Sequence, residues 1–190
     1  MSKYRIENNS STIEEIKMFI REHLYKDSYD DDEPYFINVK LDKNGMPILG
    51  NGSEKNPLHI HCTSRHLMNN LSFKGVHHID ATYKITTYGF PLIVYGVSDS
   101  AGKFHPVSFM ISSHETQHDF DVFYEGQINE AEKLDINYEP EIIMQDACPA
   151  SKNAVLDFFP NVAIHMCYFH VKKMFESIKI YLKIKKYIEK

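Results

Sequence analysis

The chain has 190 residues, 43% of them hydrophobic and 25% charged, with a formal net charge of −5. These values fit one globular domain, long enough to bury a core without disulfide staples, and exclude collagen-like, mucin-like and low-complexity chains. Three widely spaced cysteines (Cys62, Cys148, Cys167) argue against a secreted disulfide scaffold and for a reducing compartment, while no segment has the apolar length of a signal peptide or a membrane span.

The spacing predicts an amphipathic helix over 10–26. Ser10 or Ser11 caps it, Glu14 serves as capping-box partner, and Ile13, Ile16, Phe19, Ile20 and Leu24 form one apolar face. The run 27–33 contains three consecutive aspartates, and self-repulsion makes it a solvated linker. Residues 35–41 alternate like a strand, 42–45 supply a hairpin-type turn, and 50–53 read as a loop. Strands follow at 76–84, 90–97 and 104–111, with turn residues at 98–103 joining the last two as a hairpin. A helix is expected over 115–133. A short buried strand over 141–146 comes next, then a helix over 149–159 with Pro149 in its first turn, a strand over 162–168 and a helix over 170–190. This order implies an α/β fold: a three-stranded antiparallel start, then alternating helices and strands in a mixed sheet, with a helical N-terminal extension. Parallel crossovers would join the first of these core strands to the fourth and the fourth to the fifth.

Two acids stand out. Asp80 lies inside an otherwise apolar strand, and Asp146 ends another. A bare carboxylate in a sheet is costly unless paired. If the two strands are parallel neighbours, both side chains meet at one edge, where like charges are stable together chiefly around a cation. Oxygen ligands without thiolate suit Mg²⁺ or Mn²⁺, and such a site can run two-metal phosphodiester chemistry. The alternative is a pair of strand-end residues satisfied by backbone N–H groups.

The ordered motifs resemble the catalytic core of Mutator-like element (MULE) transposases. They are Asp80-Ala81-Thr82-Tyr83-Lys84, Tyr88-Gly89-Phe90-Pro91, Gly96-Val97-Ser98-Asp99 and Phe104-His105-Pro106-Val107. Asp146, Phe159-Pro160-Asn161 and Cys167-Tyr168-Phe169-His170 follow in order. The likeness spans Val76 to Lys173. It implies an RNase H-like fold, a DDE (Asp-Asp-Glu) triad and a divalent metal, Mg²⁺ or Mn²⁺. Asp80 and Asp146 would be the first and second catalytic, metal-holding carboxylates. The implied partner is DNA, as transposon ends and target, first cut with water and then joined to the freed 3′-OH. A homo-oligomer, a nuclear location and no membrane partner go with that reading. The expected division is an N-terminal extension over 1–74, the core over 75–170 and a basic helix over 171–190 that begins a truncated helical insertion.

The family's Glu lies beyond the C-x-x-H motif. After His170 the only acids are Glu176 and Glu189, and Glu176 could stand in if the closing helix folded back. The expectation is therefore a core that lacks its third acid, binds metal weakly and performs little strand transfer. Cys167 and His170 read as structural or site-adjacent, with zinc binding left open. His59, His61, Cys62 and His66 read as solvated rather than as zinc ligands, and a composite zinc site of Cys62, His66, Cys167 and His170 is a lesser alternative. Glu115 reads as a first-turn residue that complements the helix dipole, and Asp99 as a turn residue. Residues 171–190 hold seven Lys and two Glu, a local charge of +5 that leaves −10 for the first 170. Lys172, Lys179, Lys183, Lys186 and Lys190 share one face. With Lys84 they are candidate DNA contacts, or else the solvated side of an amphipathic helix. The competing function is a non-catalytic DNA- or protein-binding domain derived from a transposase, with a metal-dependent hydrolase of the same fold as a third reading.

Overall fold

A computed structural model describes residues 13–83 and 89–172. Its elements, in chain order, are α1 (Ile13–Glu22), β1 (Tyr35–Ile37), β2 (His59–Thr63), α2 (Arg65–Asn69) and a 3₁₀ turn (Asn70–Ser72). They continue with β3 (Val76–Thr82), β4 (Leu92–Ser98), β5 (Phe104–Ser112), α3 (Gln117–Lys133), β6 (Ile142–Gln145), α4 (Pro149–Phe158) and β7 (Ala163–Met166). A helical turn opens at 168, and the described part of it ends at 172. Among the described residues no helix is long and apolar enough to cross a membrane.

All seven strands form one mixed sheet in the order β1-β2-β5-β4-β3-β6-β7. The expected hairpin is there: β3, β4 and β5 pair antiparallel in sequence. The two parallel pairings are there as well, β3 with β6 and β6 with β7. Two strands differ from expectation. The one over 35–41 stops at Ile37, because Asn38 takes φ +54°, which breaks the ladder. Strand β2 was not anticipated. It pairs with β1 and β5, so the residues before Val76 continue the sheet.

The sheet buries one face under α3 and α4. Ile79, Ile93, Tyr95, Met110 and Ile143 meet Phe120, Phe123, Tyr124, Ala154 and Val155 in a single cluster. Several polar groups beside it are paired, while the buried Tyr124 hydroxyl has no partner among the described residues. The buried Gln127 accepts from Ser108 (2.6 Å) and donates to Tyr138 (2.7 Å). Asp119, at the start of α3, accepts the Thr116 backbone N–H (2.8 Å) and the Ser112 hydroxyl (3.1 Å), and lies 2.6 Å from His59 Nε2. Burial alone would raise its carboxyl, but the bonds from His59 and Thr116 win and hold it well below the usual range.

His59 and His61 are therefore not solvated, as their sequence context suggested. His61 is 3% exposed and stacks on Phe123 with ring centroids 4.6 Å apart. Neither of its ring nitrogens has a partner among the described residues. Burial, and then the charge of His59, push it down to about 3, and burial with His78 takes His77 to about 4. An unfolded histidine titrates near 6.5. Between about pH 6.5 and pH 4 the unfolded chain thus binds protons that the native chain refuses. Stability is full above that window and falls as pH drops, by about 1.4 kcal/mol per pH unit for each histidine. Urea denaturation at about pH 7.5 and about pH 5 measures this slope. His61→Phe should flatten it, and an unchanged slope would contradict the account.

Candidate carboxylate site at the sheet end

Strand β3 places its side chains alternately. His77 and Ile79 face α3 and α4, where His77 Nδ1 lies 2.9 Å from the Tyr95 hydroxyl, so His78 and Asp80 face the other side. In the parallel pair, His77 is level with Ile143 and His78 with Met144. Continued two residues further, that register leads to Asp80 and to Asp146, which lies just past the end of β6. Neighbouring strands lie about 4.8 Å apart, so the two acids of distant sequence become neighbours.

Asp80 has a side chain 57% exposed, and His170 Nε2 stands 3.9 Å from its Oδ1. Burial raises the Asp80 carboxyl, His170 opposes that, and the charge of Asp146 adds to the rise. Asp146 lies immediately past β6, and its Oδ1 accepts the Cys148 backbone N–H at 2.9 Å. This bond ties the acid to the start of α4, where Pro149 occupies the first turn. A groove beside it is lined by Asp146, Lys152, Asn153, Ile164 and His165.

Glu115 belongs to the same neighbourhood, which its sequence context did not reveal. It precedes the cap of α3, and Tyr83, directly after β3, donates its hydroxyl to Glu115 Oε2. Burial raises the Glu115 carboxyl. The Tyr83 bond lowers it, and the charges of Asp146 and Asp80 raise it again. The signal was present in the strand count, since β5 runs in the same direction as β3 and so delivers Glu115 to the same sheet end.

The remaining candidates divide. Cys167 is a half-buried free thiol whose backbone N–H donates to the Gln145 carbonyl at 2.7 Å, so it closes the β6–β7 ladder. Tyr168, Phe169 and Lys172 are exposed beside it. Cys62 is partly buried in β2, and His66 pairs with Asp32 at 3.2 Å. Among the described residues no three His, Cys, Asp or Glu side chains stand close enough together to hold a metal ion. Lys84, Glu176, Lys179, Lys183 and Lys186 lie outside the described residues.

Residues 76–174, more than half of the chain, match the family described as MULE transposase domain. Over 95 residues, 50% of the chain, the sequence is 33% identical to the PKS-NRPS hybrid synthetase cheA of Chaetomium globosum. The matched segment is 2% of that relative's length, so the relative's name describes a protein far larger than the shared stretch. The family match spans β3 through β7, the strands that carry Asp80 and lead to Asp146, and the chain belongs to the MULE transposase domain family.

Proposed function

We propose that this chain is a transposase catalytic-core segment in which Asp80 and Asp146 act together, with a divalent metal, on a DNA phosphodiester bond. The observation that carries the reading is the parallel pairing of β3 with β6, whose register, continued past His78 and Met144, leads to Asp80 and Asp146. The order β5-β4-β3-β6-β7, with two antiparallel and then two parallel pairings, supports an RNase H-like core. DNA as substrate, strand transfer to a target and a nuclear site of action belong to the same proposal.

The donor set fits a hard divalent cation. Asp80 and Asp146 offer carboxylate oxygens, and one buried carboxylate oxygen nearby, Glu115 Oε1, has no hydrogen-bond partner among the described residues. When bound at Asp80 and Asp146, Mg²⁺ or Mn²⁺ would supply Lewis-acid polarisation of a phosphoryl oxygen. The protein's own groups do the rest. Asp80 and Asp146 fix the position of the reacting phosphate relative to the sheet end. When protonated, His170 beside Asp80 would temper the negative charge that repels a phosphodiester. Exposed Lys172 and the groove residue Lys152 add positive charge nearby.

Nicking of supercoiled plasmid tests the reading. The chain should convert plasmid to the open circle with Mn²⁺ and not with EDTA. Equal nicking under both conditions would contradict metal-dependent chemistry. Plasmid retention without nicking would favour the second reading, a DNA-binding domain without catalysis. That reading draws on the absence, among the described residues, of three ligands gathered for an ion.

A further inference from the structure

We propose that Tyr168 and Phe169 form a stacking platform for an unpaired base of the DNA strand that meets the sheet end carrying Asp80 and Asp146. The inference rests on the DNA-directed reading above and adds the form of the substrate: a strand with unstacked bases rather than a closed duplex. Its first support is exposure. Tyr168 is 76% and Phe169 66% exposed, more than any other large apolar side chain among the described residues, and Met166 is 46% exposed. One exposed apolar side chain is ordinary, but these three fall within a run of four residues and make a patch. Elsewhere the chain covers its aromatics, as with Tyr95, Phe123 and Tyr124, which are wholly buried.

The second support is placement. The Cys167 backbone N–H donates to the Gln145 carbonyl (2.7 Å), next to Asp146, and the Val171 N–H closes a helical turn on the Cys167 carbonyl (3.1 Å). The two rings thus stand on backbone tied to the site. Phe169 meets His170 edge-on at 5.7 Å, and His170 Nε2 is 3.9 Å from Asp80 Oδ1. Just before the rings, His165 and Met166 line a groove of about 510 Å³ together with Asp146, Lys152 and Ile164. The third support is charge. Exposed Lys172 follows Tyr168 by one helical turn and so shares its face, and exposed Lys152 belongs to the groove. Cations beside open aromatic faces suit a single strand, because the cations take phosphates while any base stacks on a ring. An uncharged base also approaches the two carboxylates without the repulsion that a phosphate meets. This complementarity favours nucleic acid over an apolar protein segment as the occupant.

Fluorescence anisotropy of the full chain with labelled oligonucleotides tests this, in EDTA so that metal chemistry plays no part. The probes are an oligothymidylate single strand and a blunt duplex of mixed sequence. Tyr168→Ala and Phe169→Ala should each weaken single-strand binding by about 10-fold and change duplex binding by less than about 2-fold. Tyr168→Trp should hold the wild-type affinity, since an indole also stacks. Unchanged single-strand affinity in both alanine variants overturns the proposal. Equal losses on the two probes overturn it as well, because they mark a contact with the phosphate backbone alone. Thermal melting checks the occupant. Exposed rings leave the midpoint within about 2 °C of wild type, whereas a fall of many degrees would show that the protein itself covers them and would overturn the platform. Wild type that binds only the duplex overturns the platform and leaves the DNA reading standing. Wild type that binds neither probe overturns that reading too.

Discussion

Asp80→Asn should reduce Mn²⁺-dependent plasmid nicking by more than about 100-fold, beyond the 10- to 100-fold usually lost with an outer-sphere partner of a metal. The substitution keeps size and shape and removes one negative charge. Asp80 is mostly exposed and contributes little packing, so the melting curve of the metal-free chain should stay close to wild type. Strand β4 holds the backbone at Asp80 through the pairing with Val94. A loss of nicking with an unchanged fold therefore reports on the carboxylate. Nicking that survives Asp80→Asn would place the chemistry elsewhere.

Phe123→Ala should destabilise the protein by about 3–5 kcal/mol, read as a fall in the urea midpoint. Phe123 is fully buried at the centre of α3. It stacks on His61 of β2, meets Tyr124 edge-on at 5.7 Å and lies 6.0 Å from Tyr95 of β4. Truncation would open a cavity where the first strands of the chain meet the core strands. A domain of this size typically has about 5–15 kcal/mol in hand, so the variant should be partly unfolded under mild denaturant. A loss under about 1 kcal/mol would mean that α3 does not seal the sheet.

The strands from Val76 onward were legible because their β-branched and aromatic runs are bounded by turn residues such as Asp99 and Gly102. Asp99 closes its turn through bonds from Ala101 and Lys103, as its residue type suggested. The parallel pairing of the strands that lead to Asp80 and Asp146 was legible for a related reason. Each acid breaks an apolar strand pattern, and alternation fixes the face. Strand β2 was obscured by its own composition, since His59-Ile60-His61-Cys62-Thr63 looks polar until Asp119 and Phe123 on α3 cover its histidines. Helix α2 spans only five residues, too few for periodicity to register, although its Ser64 cap accepts from the Leu67 N–H at 3.2 Å. Helix α1 ends at Glu22, short of the expected 26, because the chain turns there and Leu24 bridges to Phe36. Glu115 escaped notice because an acid at a helix start already has an ordinary explanation. Only the direction of β5 and the contact with Tyr83 draw it to Asp80 and Asp146.

The most direct measurement of a shared ion is a Mn²⁺-affinity cycle over Asp80→Asn, Asp146→Asn and the double variant. If both acids hold one ion, each single change weakens binding strongly and the double change adds little, because the site is already broken. Losses that sum, or single variants that bind Mn²⁺ as wild type does, would show that the two carboxylates do not share a cation.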